Sequence, residues 1–568
     1  MKYFPDKLSI TWIKKSYKSG ELTPEELIDE IIRRADETKE KNIWITKPSH
    51  EITDKYLQNL PKDSENYPLW GIPFAVKDNI DLEDVPTTAA CPDYSYIPEK
   101  NAFVVEKLIA AGAIPVGKTN LDQFATGLVG TRSPYGEVPN AHNPDYISGG
   151  SSSGSAVAVA LGMCAFALGT DTAGSGRVPA MLNTLVGFKP SLGEWSTSGV
   201  VPACASLDCV TVFANNLADT QAVHSVAKGY DTDCAWSLKY EEKGRKAPDK
   251  IYLPKNEPRF FGDKAELHRS KWYQAIERLK NLGIKIEYMD YQMFYDAALI
   301  LYDGAYVAER WADLKEFVEA HTGKIFPVTE KILRSGDSED KTVARLFEDL
   351  HRLQYCRHMA KEILENAVMI MPTAGGTFTR EQVRENPVGT NSLMGLYTNH
   401  CNLLNLCAIA VPENSKDVDF PFGITMFGLA DSENLVVETA ERFLNAEDEL
   451  FAVCGLHKKG FPLEYQLTEL GAEYVESTET AKAYNLYRLD TVPVKPGLVR
   501  VSDESGESIC VDIYRISKAA LGSFCDRVVQ PLTMGTVELI DGRKVKGFLC
   551  EEYAVKNAKN ITGLKSFS

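Results

Sequence analysis

Helical and strand periods of apolar residues follow one another through the first 190 residues. Residues 23–32 begin with the capping-box pattern Thr-Pro-Glu-Glu and then carry apolar side chains on one helical face. Residues 74–76 predict a buried strand, and residues 101–117 predict a helix that ends at Gly112 and leads into another strand. This alternation is typical of an α/β domain.

The same periods continue to about residue 430. Residues 251–290 predict a strand, a helix and a strand, and residues 368–373 and 406–412 have the composition of core strands. Residues 341–366 predict a long charged helix, which we expect on an outer face or at a dimer contact.

Strand periods dominate after the acidic stretch that ends near residue 449, so the pattern predicts a second, β-rich α+β domain. We therefore expect domains at residues 1–445 and 446–568. The elements predicted in the second domain are a hairpin in 501–514 around Glu504-Ser505-Gly506, a helix in 517–529, and a hairpin in 537–549 around Asp541-Gly542.

Residues 149–180 contain two Ser/Gly clusters separated by a small, apolar run. The run from Ser155 to Leu168 predicts a buried helix that leads into a strand, which would hold both clusters rigidly. Such clusters can present backbone N–H groups and hydroxyls at one point, as acyl transfer requires. A flexible linker is disfavoured by the apolar run, and a phosphate loop by the absence of Gly-x-x-x-x-Gly-Lys-Ser/Thr spacing.

Lys77 stands at the end of the predicted strand in GIPFAVKDNI. One interpretation is a salt bridge, for example to Asp78. The other is a desolvated lysine, whose pKa falls because burial disfavours the ammonium, so that the neutral amine can accept a proton.

Composition excludes several classes. The chain has 568 residues and a net charge of −17, which argues against a nucleic-acid partner. No apolar run approaches the roughly 20 residues that a membrane span needs, and the first residues lack a signal-peptide core. Twelve scattered cysteines without metal-ligand spacing indicate a cytoplasmic protein with no metal site.

Three segments together resemble the amidase signature family: GIPFAVKDNI, GGSSSGSA and DTAGSGRVPA. The resemblance implies an α/β/α domain around a mixed sheet, no cofactor, and a Ser–cis-Ser–Lys triad. By position, Ser175 would be the nucleophile, Ser151 the bridging serine in a cis peptide, and Lys77 the base. The residues implied for the oxyanion hole, through their backbone N–H groups, are Thr172, Ala173, Gly174 and Ser175. Arg177 is expected to anchor the loop, for example to Asp171.

The residue after Ser175 is Gly176, and the sequence around it is similar to one branch of the family, the allophanate hydrolases. These hydrolyse urea-1-carboxylate, the product of a urea carboxylase. The branch implies that Tyr302 and Arg310 hold the substrate carboxylate, and their spacing of eight predicts roughly the same side of one helix. A surface arginine paired with a neighbouring carboxylate is the other interpretation of Arg310. Gly127 is expected to offer a backbone contact.

Segments after residue 449 resemble the C-terminal domain of the same branch. That resemblance implies a second activity, assisted decarboxylation of N-carboxycarbamate, with His457 either a proton carrier or a structural residue. It also implies a urea carboxylase, separate or fused, as a partner, and a homodimer. A different small-amide amidase and a glutamyl-tRNA amidotransferase-type subunit remain alternatives.

Overall fold

The structure is a computed structural model that describes residues 3–62, 64–413, 420–446, 448–501 and 506–567. The chain divides into two compact units, Met1–Leu444 and Asn445–Ser568. This division lies next to the domain boundary predicted from the sequence.

The first unit contains a mixed sheet of eleven strands. In chain order these are β1 (Trp44–Thr46), β2 (Pro73–Lys77), β3 (Ile114–Thr119), β4 (Phe166–Asp171), β5 (Val186–Lys189), β6 (Cys209–Ala214), β7 (Lys250–Pro254), β8 (Lys285–Met289), β9 (Ala367–Pro372), β10 (Leu406–Pro412) and β11 (Gly423–Leu429). Their order across the sheet is β1-β3-β2-β4-β6-β5-β10-β11-β9-β7-β8. The predicted mixed sheet is confirmed.

Helices of the first unit follow the predicted alternation. They are α1 (Ile10–Ser19), α2 (Pro24–Glu37), α3 (His50–Gln58), α4 (Phe103–Ala110), α5 (Ser153–Ala160), α6 (Val178–Leu182), α7 (Leu217–Ala227), α8 (Ala265–Lys280), α9 (Gln292–Leu299), α10 (Val307–Ala320), α11 (Pro327–Arg334), α12 (Val343–Leu364), α13 (Arg380–Glu385), α14 (Gly389–Met394), α15 (His400–Leu403) and α16 (Glu433–Asn445). The predicted capping box begins α2, where Thr23 and Glu26 each accept the other's backbone N–H. None of the helices in the described ranges combines the length and apolar character that crossing a membrane requires.

The centre of the sheet positions the candidate site. Strands β3, β2 and β4 are parallel neighbours whose residues are all buried, which explains their apolar sequences. Because β2 and β4 are parallel and in register, Lys77 and Asp171 end them at the same edge of the sheet. Helix α5, also buried throughout, begins directly after Ser151 and Ser152.

The second unit has two small sheets. Its strands are β12 (Asp448–Val453), β13 (Glu473–Glu479), β14 (Tyr484–Leu489), β15 (Lys495–Arg500), β16 (Cys510–Ser517), β17 (Leu532–Glu538), β18 (Lys544–Cys550) and β19 (Lys559–Asn560), and its helices are α17 (Tyr465–Thr468), α18 (Lys518–Cys525) and α19 (Glu552–Val555). One sheet has the order β13-β16-β12-β18-β17, and the other β15-β14-β19.

The two predicted hairpins have different outcomes. The hairpin around Asp541-Gly542 is confirmed, because β17 pairs antiparallel with β18. The hairpin in 501–514 is wrong: β15 pairs with β14, and β16 pairs with β12 and β13 in the other sheet. Its turn at 504–505 lies outside the described residues. An alternating pattern specifies a strand with one buried face but not the partner of that strand.

Candidate active site

Lys77 is fully buried at the end of β2, and three hydroxyls surround its amine. Nζ lies 2.7 Å from Ser151 Oγ, 2.9 Å from Ser152 Oγ and 2.7 Å from Thr170 Oγ1. The Asp78 carboxylate faces away, toward Lys118 Nζ at 3.5 Å. The salt bridge to Asp78 is therefore wrong.

Burial lowers the pKa of the Lys77 ammonium to about 7, although the Asp122, Asp208 and Asp171 carboxylates act in the opposite direction. A substantial fraction of the amine is therefore neutral near pH 7. In that form it can accept a proton from a neighbouring hydroxyl.

Ser151 and Ser175 lie in the two Ser/Gly clusters of residues 149–180. The peptide bond between Gly150 and Ser151 is cis, as the family resemblance implied. The buried Ser175 hydroxyl donates to the Gly127 carbonyl over 3.4 Å, and within the described residues no hydrogen bond joins it to Ser151. The structure thus brings Lys77 and Ser151 together and turns Ser175 toward Gly127.

Asp171 and Arg177 organise the loop that carries Ser175. Arg177 donates to both carboxylate oxygens of Asp171, at 2.9 and 3.0 Å, so the predicted anchor is confirmed. The same carboxylate accepts the Gly174 N–H at 2.8 Å and the Gly176 N–H at 2.9 Å. Gly174, expected in the oxyanion hole, thus has its amide committed to Asp171.

Three of the expected oxyanion donors remain available. In the part of the chain that the structure describes, the N–H groups of Thr172, Ala173 and Ser175 have no protein acceptor. Asp208, which sequence reasoning missed, accepts a hydrogen bond from the Thr172 hydroxyl, and burial raises its pKa. The Thr398 hydroxyl holds the Ala173 carbonyl at 2.8 Å. Asp208 and Thr398 therefore help to hold the loop that carries Ser175 in place.

The side chains of Tyr302 and Arg310 are in contact, but the two residues do not share one helix as predicted. Helix α9 ends at Leu299 and α10 begins at Val307, so Tyr302 lies in the connecting turn and only Arg310 is helical. The expectation of one continuous helix is wrong. Gly304 lies in the turn, where a Cβ would be 2.6 Å from Asp349 Oδ2, and Asp349 accepts the Ala305 N–H at 2.7 Å.

The Arg310 guanidinium is buried and has no ion-pair partner in the described ranges. Nη1 donates to Thr126 Oγ1 at 3.1 Å, Nη2 donates to Tyr302 Oη at 3.4 Å, and Nε has no acceptor. The surface-arginine interpretation is therefore wrong. Because Gly127 follows Thr126 and contacts Ser175, this unpaired cation shares one short segment with the candidate nucleophile.

His457 lies in the second unit, beside a cavity of about 20 Å³ that Lys495 also lines. Its Nε2 is 3.0 Å from Gln466 Oε1, and its ring contacts Phe524 and Phe548. Burial lowers its pKa. These contacts suit a structural histidine and a proton carrier equally well.

Ser152 and Thr170 are the contacts of Lys77 that sequence reasoning missed. Thr170 could have been found, because it stands one residue before the end of β4, which lies beside β2. Among the described residues, no group of three or more His, Cys, Asp or Glu side chains could hold a metal ion.

Residues 25–437 match the family described as Amidase, which is more than half of the chain. The chain belongs to the amidase family. Residues 449–568 match the family described as the allophanate hydrolase C-terminal domain. This second match begins just inside the second unit, so each unit has its own family.

Known proteins resemble the chain over different lengths. The structure of the allophanate hydrolase of Kluyveromyces lactis is 36% identical, with a TM-score of 0.71, and 98% of each chain is covered. The urea amidolyase of Saccharomyces cerevisiae is 38% identical over 98% of this amidase-family chain but only 32% of its own length. The chain thus spans about a third of the urea amidolyases that it matches. A glutamyl-tRNA(Gln) amidotransferase subunit of Methanosarcina barkeri is 36% identical over 49% of this chain and 59% of its own.

Proposed function

We propose that the chain is an amidohydrolase that cleaves allophanate, urea-1-carboxylate, and releases ammonia and carbon dioxide in the breakdown of urea. One observation carries the proposal. The segment Thr126–Gly127 holds the unpaired Arg310 guanidinium through its hydroxyl and the Ser175 hydroxyl through its carbonyl. A small amide with a terminal carboxylate fits this arrangement, because a guanidinium binds a carboxylate strongly.

The hydrogen bonds around Lys77 support its role as base. Ser152 donates its proton to the Thr170 carbonyl at 3.2 Å, so its oxygen accepts from Nζ. Thr170 Oγ1 is the second acceptor. A neutral amine has two N–H bonds and one lone pair, and with both N–H bonds used in this way the lone pair faces Ser151.

In the reaction, Ser175 rotates from Gly127 toward Ser151, transfers its proton through Ser151 to Lys77, and attacks the amide carbonyl. The developing oxyanion accepts hydrogen bonds from the free backbone N–H groups beside Ser175. Lys77 returns the proton to the departing nitrogen. Ammonia is then released, and an acyl-enzyme on Ser175 remains. Water then attacks this ester by the same proton route, which regenerates Ser175 and releases N-carboxycarbamate.

For the second unit we propose that His457 assists the decarboxylation of N-carboxycarbamate. Loss of carbon dioxide leaves an electron pair on nitrogen, which takes up a proton that the His457 imidazole relays from water, and the product is carbamate. Carbamate then gives the second ammonia and the second carbon dioxide. The match of residues 449–568 supports a role of this unit in the pathway.

The chemistry implies partners. Allophanate must be made by carboxylation of urea, so a urea carboxylase, separate or fused, is the proposed source. We also propose that the chain forms a homodimer and that it is located in the cytoplasm. The cytoplasmic location suits its twelve free cysteines. The second candidate function is that of an amidotransferase subunit, which the likeness of half the chain to such subunits favours.

Ammonia release from allophanate, malonamate and glutamine tests the proposal directly. We expect activity on allophanate, less on malonamate, and none on glutamine. Ser175→Ala should abolish release from allophanate and malonamate, because the nucleophile is missing, while the unfolding temperature stays unchanged. Glutamine as the preferred substrate would favour the amidotransferase interpretation, and an active Ser175→Ala variant would exclude Ser175 as the nucleophile.

A further inference from the structure

Arg132 is a second buried arginine beside Thr126, and it has no ion-pair partner among the described residues. Its side chain is 1% exposed. Nη1 donates to the Thr126 carbonyl at 3.0 Å, Nη2 donates to the Pro387 carbonyl at 2.7 Å, and Nε is buried without an acceptor. The guanidinium therefore joins the Thr126 segment to Pro387, which lies 255 positions after Arg132 in the chain.

Thr126 connects this arginine to the substrate site. Its hydroxyl donates to the Phe124 carbonyl at 3.1 Å, so the oxygen is left to accept from Arg310. Its own carbonyl accepts from Arg132. The place of the Arg310 guanidinium thus depends on the backbone at Thr126, and Arg132 holds that backbone.

Arg132 is itself fixed at both ends. Its backbone N–H donates to Asp122 Oδ1 at 2.9 Å. Its side chain packs so closely on Gly127 that a Cβ there would lie 3.1 Å from Arg132 Cδ and 2.5 Å from Asp122 Oδ2. A residue with a side chain at position 127 would displace one of them.

Charge gives the arrangement a second consequence. Burial lowers the pKa of Arg132, and repulsion by the nearby Arg310 guanidinium adds to this effect, while Asp122 and Tyr302 act in the opposite direction. Hydrogen bonds to one threonine hold these like charges in place. An anionic ligand would reduce the repulsion.

We propose that Arg132 is a positioning residue, which sets the place of Arg310 through Thr126 and thereby the affinity of the site for a substrate carboxylate. The inference rests on the proposed function. An arginine with a purely structural role would change stability alone, whereas a positioning residue changes carboxylate affinity, and only while Arg310 is present.

Binding in the full-length chain tests this without turnover. All variants carry Ser175→Ala, and the Kd of malonamate is measured calorimetrically for Arg132→Gln, Arg310→Gln and the double variant. We expect Arg132→Gln to weaken binding about tenfold when Arg310 is present and less than about twofold when it is replaced, because coupled residues are non-additive. If Arg132→Gln changes the Kd of malonamate by the same factor with and without Arg310, or changes it in neither case, the proposal is overturned.

Two further variants separate geometry from charge and from fold damage. Arg132→Lys keeps the charge but cannot reach both carbonyls, so we expect weak binding; full affinity would mean that charge alone matters and would overturn the proposal. If Arg132→Gln does not fold, Arg132→Lys replaces it in the comparison of binding with and without Arg310. Arg34→Gln is the matched control, since Arg34 also bridges two main-chain carbonyls, Gly162 at 2.9 Å and Pro5 at 3.0 Å, and binding should be unchanged.

The proposed function and this inference fail separately. If the wild-type chain releases no ammonia from allophanate, the proposed function is wrong, whatever the binding data show. If it does, and the Arg132 and Arg310 effects multiply, only the positioning role is wrong.

Discussion

Lys77 depends on its surroundings for the property that the mechanism needs. No carboxylate among the described residues pairs with the amine, whose contacts are three neutral hydroxyls. Hydroxyls replace only part of the hydration that an ammonium loses on burial, so the neutral form is favoured. A strand that buries every side chain supplies this effect without a separate activating group.

The lowered pKa of Lys77 predicts the pH profile. Below about pH 7 the amine carries a proton and cannot accept one from Ser151, so kcat/KM for allophanate should rise with pH and level off above about 7. Lys77→Met, which has no base, should lower kcat by roughly 10²–10⁴ and lose the rising limb. The profile is measured by ammonia release between about pH 5 and 9, and a flat wild-type curve would contradict the assignment of Lys77.

Arg310 predicts a dependence on substrate charge. Arg310→Ala removes the cation that we propose to bind the carboxylate, and a hydrogen bond to a charged group contributes about 1.5–3 kcal/mol, so KM for allophanate should rise about 10- to 150-fold. Malonamide, which is neutral, serves as the control in the same assay. A similar rise for both substrates would mean that Arg310 does not act on the carboxylate.

At the scale of elements, the turn between α9 and α10 places Tyr302 against the first turns of α10. The turn closes because Asp349 accepts the Ala305 N–H, which requires a residue without a side chain at position 304. Two helices joined by a glycine-containing turn thus bring Tyr302 Oη to Arg310, where one straight helix would have kept the two side chains two turns apart.

Gly304→Ala tests this turn. The added Cβ would lie 2.6 Å from both Asp349 Oδ2 and the Ile300 carbonyl, so overpacking should lower the free energy of unfolding by about 1–3 kcal/mol. It should also raise KM for allophanate, because Tyr302 moves. Chemical denaturation and ammonia release measure the two effects. Gly244→Ala, with no atom within 4 Å of its Cβ, is the control and should change neither; an unaffected Gly304→Ala would show that the turn tolerates a side chain.

Sequence reasoning succeeded where a pattern is local. A lysine after an apolar strand, a capping box and a Gly-centred hairpin each specify their own structure within a few residues. It failed where contacts with parts of the chain far away in sequence determine the structure. Arg132 could not be recognised as buried, because its acceptors are main-chain carbonyls that any residue offers. The pattern of the strand after residue 501, which is β16, could not reveal which sheet it joins.

At the scale of the whole molecule, each unit buries its own apolar side chains. The core clusters of the second unit contain only residues from 450 onward, and those of the first contain none beyond Leu444. A separate core is what independent folding requires. The two families matched by the chain follow the same division.

Residues 445–568 should therefore fold when produced alone and unfold cooperatively in chemical denaturation. Added to residues 1–444 and allophanate, this unit should raise the ammonia formed per allophanate, because we propose that it assists decarboxylation of the product of the first unit. A unit carrying His457→Ala should fold equally well but fail to raise the yield if the imidazole moves a proton. If the wild-type unit leaves the yield unchanged, the second unit has a binding or assembly role; if His457→Ala raises it as well as wild type does, the histidine is structural.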